Sequence, residues 1–208
     1  MTGTLEQLFG SAARIKIIRL FLLNPQEFFT QGEISRRCKV TPGTIRREIF
    51  LLKKIGFIKE KPEMIENIIK LKNGKIKNNK KRIQGISLDQ SFSLLSPLKN
   101  LVVNSAPVSR HEIAKKIAKA GKVKLIIMSG VFIQDENSRA DLLVVGDSLN
   151  RGLIDRIMRW IESEVGKELA YAIFTSEDFA YRLSMRDKFV RDIMDYPHEK
   201  ILDRLGLE

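Results

Sequence analysis

Two groups of residues in this chain are suited by type and spacing to bind a polyanion. Arg46 and Arg47 adjoin within one short segment, and Lys75, Lys77, Lys80, Lys81 and Arg82 crowd a stretch of eight positions. Lysine and arginine donate hydrogen bonds and carry charge, so such groups match phosphate oxygens and the acceptor edges of bases. Their setting strengthens the reading. Residues 1–88 hold 19 Lys+Arg against 7 Asp+Glu, whereas residues 89–208 hold 18 of each, so the whole formal charge of +12 belongs to the first part of the chain. Each phosphate that a cation neutralises releases condensed counterions, which makes a basic excess confined to one segment the electrostatic footprint of a nucleic-acid module. Other reactive types are sparse. Cys38 is the single cysteine, which excludes an internal disulfide and a cysteine-based zinc cluster; it lies on the apolar side of a predicted helix and reads as a small buried thiol. His111 and His198 stand far apart in polar surroundings, which argues against a metal pair.

The elements that must carry the first group read clearly. In the segment 14–23, Ile15, Ile18 and Leu22 repeat at helical spacing with Arg14, Lys16 and Arg19 outside, and Asn24-Pro25 stops the helix. Phe28 to Gln31 is extended. Residues 32–38 make about two helical turns with Ile34 and Cys38 inward. Thr41 then suits an N-cap and Pro42 a first helical position, because proline lacks only an N–H that has no helical partner there. The next helix runs to Ile55 with Ile45, Ile49 and Leu52 inward and ends at Gly56. Beyond it, residues 65–72 lead to Asn73-Gly74, a strong two-residue hairpin signal. The basic run 75–82, read as a solvated loop that can meet phosphate, leads into a return strand over 83–88.

The order of helix, short helix, tight turn and capped helix is that of a helix-turn-helix. The runs 8–21, 41–48 and 52–58 together resemble the winged helix-turn-helix domain of prokaryotic transcriptional regulators, over roughly residues 5–95. The resemblance implies that the helix starting near Thr41 enters the major groove of double-stranded DNA. Contacts are then expected from Gln31, Ser35 and Arg36, from Thr41, Thr44, Arg46, Arg47 and Lys53, and from Lys75, Lys77, Lys80, Lys81 and Arg82 in the wing. Arg46 and Arg47 fit either a plain solvated face or a DNA contact, and the surrounding motif favours DNA. Wing lysines would hold backbone phosphate and read no sequence.

A connecting segment, 96–107, carries a short helix from Pro97 to Asn104 and a boundary at Ser105-Ala106-Pro107. Residues 108–208 then alternate helix and apolar strand: helix 110–120, strand 123–128, strand 140–145, helix 153–165 with Leu153, Ile157, Trp160 and Ile161 on one face, strand 169–174, and a helical C-terminus. Such alternation gives an α/β layer, and the chain as a whole is α+β. The order of strand, Ser129-Gly130, loop and Arg139-Ala140-Asp141-Leu142-Leu143-Val144-Val145-Gly146-Asp147 resembles the minimal nucleotidyltransferase fold. Active members of that family place a Gly-Ser turn against phosphates and hold metals with an Asp-x-Asp pair and a third acid. Here the turn is inverted, Arg139 replaces the first aspartate, and Tyr171 and Ala172 stand where the third acid belongs. A two-metal site needs several carboxylates, and a cation in the ligand set opposes the metals. The resemblance therefore implies an inactive domain, with Asp141 paired to Arg139 or a lysine, with Asp135, Glu136 and Asp147 as the only substitutes, and with Ser129, Gly130 and Asp141 as either a ligand-binding remnant or a plain turn.

The expectation is a cytoplasmic, homodimeric, sequence-specific DNA-binding regulator without cofactor or metal, whose second domain serves dimerisation or senses a nucleotide or small-molecule effector. The alternatives are an active nucleotidyltransferase and the antitoxin of a toxin–antitoxin pair. No apolar run approaches the roughly 20 residues of a membrane span, and the N-terminus lacks the pattern of a signal peptide.

Overall fold

The computed structural model describes residues 4–70, 76–103, 108–135 and 137–207, with the backbone alone for 63–70 and 76–81. Asn73-Gly74, Lys75, Ser105-Ala106-Pro107 and Glu136 lie outside the described residues. The chain is α+β and divides into two compact units, Met1–Ser105 and Ala106–Glu208, each with its own sheet.

The first unit opens with α1 (Thr4–Phe9) and α2 (Ala12–Leu23). Ser11 caps α2 by accepting the Arg14 N–H at 3.2 Å. α2 is buried nearly all round: besides Ile15, Ile18 and Leu22 it buries Ile17, Leu20 and Phe21. Arg19, expected outside, is buried too, and its Nε donates to the Val102 carbonyl at 3.4 Å. Its long stem lines the core while its head finds a main-chain acceptor on α5 (Leu95–Val103). The two-residue β1 (Phe28–Phe29) precedes α3 (Gln31–Cys38), which opens with a capping box: the Thr30 hydroxyl accepts from the Glu33 N–H, and Glu33 Oε2 accepts from the Thr30 N–H at 2.7 Å. The Thr30 N–H also holds the Glu33 carboxyl below its ordinary range. Lys39, in the left-handed region at φ +52°, turns the chain into α4 (Pro42–Lys54).

β2 (Ile58–Lys70) and β3 (Ile76–Leu88) pair antiparallel over 13 residues each, from Ile58 opposite Leu88 to Lys70 opposite Ile76. Two expectations are corrected here. Residues 76–82 are strand rather than loop, and the first strand starts at Ile58 rather than 65; ladder hydrogen bonds hold a lysine-rich backbone that carries no apolar alternation to announce it. β1 pairs only with Ser87 and Ile86, leaving the rest of the hairpin a two-stranded ribbon. Pro62 is tolerated because β2 is an edge strand, where a missing N–H breaks no interior ladder. The core beneath is aromatic and aliphatic: Phe21 meets Phe29 and Phe57 edge-on at 5.6 and 6.5 Å, and Phe57 meets Phe92 at 5.6 Å.

The second unit runs α6 (Arg110–Ile117), a 3-10 turn (Ala118–Ala120), β4 (Lys122–Met128), β5 (Leu142–Asp147), α7 (Arg151–Val165), β6 (Tyr171–Phe174), α8 (Ser176–Ser184), α9 (Lys188–Asp195) and β7 (Glu199–Asp203). The sheet order is β6-β5-β4-β7; β5 and β6 are parallel, while β4 is antiparallel to both of its neighbours. Leu125, Ile126, Ile127 and Met128 of β4 are fully buried, which is why that run reads as unbroken apolar sequence. One face of the sheet packs Leu125, Ile127, Leu143 and Val145 against Phe179, Val190 and Ile193 of α8 and α9. The expected helical C-terminus is corrected: after α9 the chain returns as β7, whose Glu-Lys-Ile-Leu-Asp sequence is half-buried at the sheet edge and lacks a strand pattern.

Candidate nucleic-acid interface

α4 has two contrasting sides. Ile45, Ile49 and Leu52 face the core, and Glu48, between them, is buried as well. Glu48 Oε1 accepts from the Ser11 hydroxyl at 2.7 Å and Oε2 from Arg14 Nε at 2.8 Å, while a terminal nitrogen of Arg14 donates to the Phe9 carbonyl at 2.8 Å. This charged clasp fastens α4 to the start of α2. Outward, Gly43, Arg46, Arg47, Phe50 and Lys54 are exposed at spacings of three and four, which places them on one stripe. Phe50 is 72% exposed, an unusual state for phenylalanine, and it shares that stripe with both arginines. No acid lies in the first turn of α4, so the helix N-terminus keeps its partial positive charge.

The other residues expected on this surface divide. Gln31 begins α3 and is exposed, as are Arg36, Thr41 and Arg82. Thr41 occupies the N-cap in extended conformation, yet its hydroxyl bonds the Thr44 hydroxyl at 3.0 Å rather than a helix N–H. Ser35 donates to the Val40 carbonyl at 2.6 Å and so ties the turn between α3 and α4. Lys53 is occupied by Glu60 on β2. Lys77, Lys80 and Lys81 stand in β3 opposite Ile69, Glu66 and Ile65. At about 3.4 Å per residue, the ribbon that carries them is on the order of 40 Å long. Phe50 and Lys54 were missed in the sequence; their signal was the stripe at three and four residues from Arg46 and Arg47.

In the second unit the Ser129-Gly130 turn and Asp141 do meet, through a structural staple. Asp141 Oδ1 accepts from the Val131 N–H at 2.8 Å, and Oδ2 accepts from the Ala170 N–H at 2.8 Å. The Ser129 N–H donates to the Asp141 carbonyl at 2.9 Å, and the Ser129 hydroxyl donates to the Ala140 carbonyl. Gly130 has φ +55°, and a Cβ there would stand 2.1 Å from Asp141 Oδ1, so only glycine fits. Arg139 is not the partner of Asp141: its Nε donates to Asp192 Oδ2 at 2.9 Å, on α9. Backbone donors satisfy Asp141, because the turn brings the Val131 N–H to one carboxylate oxygen and the approach to β6 brings the Ala170 N–H to the other.

Of the substitutes for a metal ligand, the two among the described residues, Asp135 and Asp147, are engaged too. Asp135 accepts from the Asn137 N–H and the Ser138 hydroxyl. Asp147 takes Lys124 Nζ at 2.9 Å and the Ser176 N–H and hydroxyl at 3.0 Å each; the Lys124 hydrogen bond, then those of Ser176, lower its carboxyl to about 2. The Tyr171 hydroxyl has its pKa raised by burial and by the nearby Asp155 and Glu162. Asp135, Ser138, Arg139, Asp192 and Tyr196 line a polar cleft of about 740 Å³ beside the turn. Cys38 is buried, as expected, and His198 Nδ1 meets the Tyr196 carbonyl at 2.9 Å.

No family model, no curated protein and no solved structure matches this chain. No described helix is long and apolar enough to cross a membrane.

Proposed function

We propose that the chain is a sequence-specific DNA-binding transcriptional regulator, whose first unit is a winged helix-turn-helix and whose second unit is a nucleotidyltransferase-like domain without that catalysis. The observation that carries this reading is the outward stripe of α4. Two exposed arginines and an exposed phenylalanine, on a helix whose other side is clamped to the core, form a surface suited to a groove: Arg bonds guanine O6 and N7, and an apolar ring meets the thymine methyl. The preceding α3, turned by Lys39, and the lysine-bearing β2–β3 ribbon supply phosphate contacts around it. α4 then reads bases, and the ribbon sets affinity.

Catalytic loss in the second unit is supported by the use of Asp141 as an acceptor for two main-chain N–H groups and by the Arg139–Asp192 pair where metal ligands would stand. The unit then serves as a scaffold for a homodimer, an arrangement in which operator symmetry follows protein symmetry.

Selection from a random duplex library with the full-length chain tests the reading. An enriched motif is expected, with inverted half-sites if the protein binds as a dimer. Retention of DNA without any enriched sequence would reduce the first unit to a non-specific binder and overturn the proposal.

A further inference from the structure

Although residues 89–208 are neutral in sum, their charge is unevenly placed. α6 carries Arg110, Lys115 and Lys116 against Glu112, with Arg110 paired to Glu199 of β7, and Lys119 follows in the 3-10 turn. α7 is balanced in sum, with Arg151, Arg156 and Arg159 against Asp155, Glu162 and Glu164, but Asp155 is engaged with Tyr171 of β6 and Glu162 accepts from the Leu169 N–H. Between these two elements lies a cavity of about 360 Å³ lined by Lys116, Lys119, Leu153, Arg156, Ile157 and Trp160. Its chemistry is mixed in a specific way. Leu153, Ile157 and Trp160 make an apolar wall at helical spacing, and three cations stand at its rim. Lys116 Nζ sits 4.4 Å from the centre of the Trp160 ring, which fixes both groups, and it is 3.7 Å from Glu112. Lys119 and Arg156 are exposed and have no ion-pair partner among the described residues.

We propose that this α6–α7 groove binds a free nucleotide. An aromatic base would lie against Trp160, Leu153 and Ile157, and Lys119 and Arg156, with Lys116, would take the phosphates. Three observations select that chemistry over a simpler one. Inorganic phosphate would use the cations and leave the apolar wall wet. A neutral aromatic ligand would use the wall and leave Lys119 and Arg156 without a counter-charge. The cavity also falls in the size range of small-ligand sites, roughly 300–1,000 Å³. The site is separate from the Ser129-Gly130 turn and does not depend on DNA binding by the first unit.

Trp160 is the only tryptophan of the chain and therefore reports on the groove directly. The test is titration of the full-length protein with AMP, ATP, GMP and GTP, followed by tryptophan fluorescence excited at 295 nm and by isothermal calorimetry. Inorganic phosphate, adenosine and a single-stranded oligonucleotide serve as comparison ligands. Saturable quenching is expected with at least one nucleotide, and neither phosphate nor adenosine should match it. Charge-assisted bonds are the stronger class, so Lys119→Gln with Arg156→Gln should weaken binding by about tenfold or more. Both side chains are on the surface, and an unchanged circular-dichroism spectrum verifies the fold. Trp160→Phe, followed by calorimetry, should retain binding because a ring remains, whereas Trp160→Ala should lose it. Arg139→Ala, in the other cleft, should leave affinity unaltered. The proposal is overturned if no nucleotide saturates, if the Lys119/Arg156 variant binds equally well, if phosphate or adenosine alone binds as tightly, or if only the oligonucleotide binds.

Discussion

Removing the Asp141 carboxylate distinguishes a structural staple from a metal ligand. Asp141→Ala strips acceptors from two main-chain N–H groups, those of Val131 and Ala170, each 2.8 Å from a carboxylate oxygen. Hydrogen bonds to charged groups contribute about 1.5–3 kcal/mol each when shielded. The Val131 end is part-buried and keeps most of that value, whereas Ala170 is exposed and water can take over its N–H. The sum is about 2–4 kcal/mol, a large share of the roughly 5–15 kcal/mol that holds a domain together. With a urea slope of about 1–3 kcal/mol/M, the unfolding midpoint of the second unit should fall by roughly 1–2 M. Asp141→Asn keeps one acceptor and should lie between alanine and wild type. Gly130→Ala should be at least as damaging as Asp141→Ala, because its methyl would stand 2.1 Å from the carboxylate at a φ of +55°. The two alanine variants combined should cost less than their sum, since removing the carboxylate clears the space for the methyl. Trp160 fluorescence reads the transition of the second unit alone, because the first unit has no tryptophan. A midpoint unmoved by Asp141→Ala would refute the reasoning. So would a wild-type midpoint that rises with Mg²⁺ and loses that response in the variant, which would assign the carboxylate to a metal.

Four further outcomes are expected. The Asp147 carboxyl titrates near 2 when folded against an ordinary 3.8, so its contribution to stability is complete above about 3.8 and disappears as pH falls toward 2; hydrogen exchange at the start of α8 should quicken in that window, and Asp147→Asn should remove the difference. Arg46→Ala or Arg47→Ala should relax preference at one base position at a cost of about 1–3 kcal/mol, whereas neutralising Lys77, Lys80 and Lys81 should weaken cognate and scrambled duplexes alike and reduce the slope of log K against log salt by about 0.9 per phosphate contact removed; loss of specificity from the lysine variant alone would reverse those roles. Phe50→Ala should lower affinity wherever the selected motif has thymine, and replacing that thymine by uracil should have the same effect on wild type and none on the variant. Glu48→Ala should destabilise the first unit by about 1–3 kcal/mol, because Arg14 and Ser11 lose their shared acceptor, while Glu48→Leu should cost less in a urea titration, since an apolar side chain of similar size suits the buried position.

Local rules made much of this molecule legible before folding. The α2, α3, α4 and α7 helices are announced by apolar repeats of three and four residues, by Thr41 ahead of a helix start, and by Asn24-Pro25 and Gly56 behind helix ends, whereas the Thr30 cap of α3 emerged only from the structure. β4 is announced because a strand buried on both faces must be apolar throughout. These features depend on neighbours in sequence, which periodicity and capping record directly. The amphipathic reading of α2 failed at Arg19 because the acceptor that permits its burial, the Val102 carbonyl, lies 83 residues away. β7 and the first half of β3 gave no pattern because ladder hydrogen bonds, to the distant β4 in one case and to the neighbouring β2 in the other, hold them rather than side-chain alternation. The partners of Asp141 and Arg139 were likewise decided by the tertiary structure. A carboxylate bonds whichever donors the fold brings nearest, and here those are the N–H groups of Val131 and Ala170, while Asp192 reaches Arg139 from a helix 53 residues on. The same holds for the α6–α7 groove: net charge summed along the chain hid it, because electrostatics depends on distance in space, and only packing set the cations of two helices around one tryptophan.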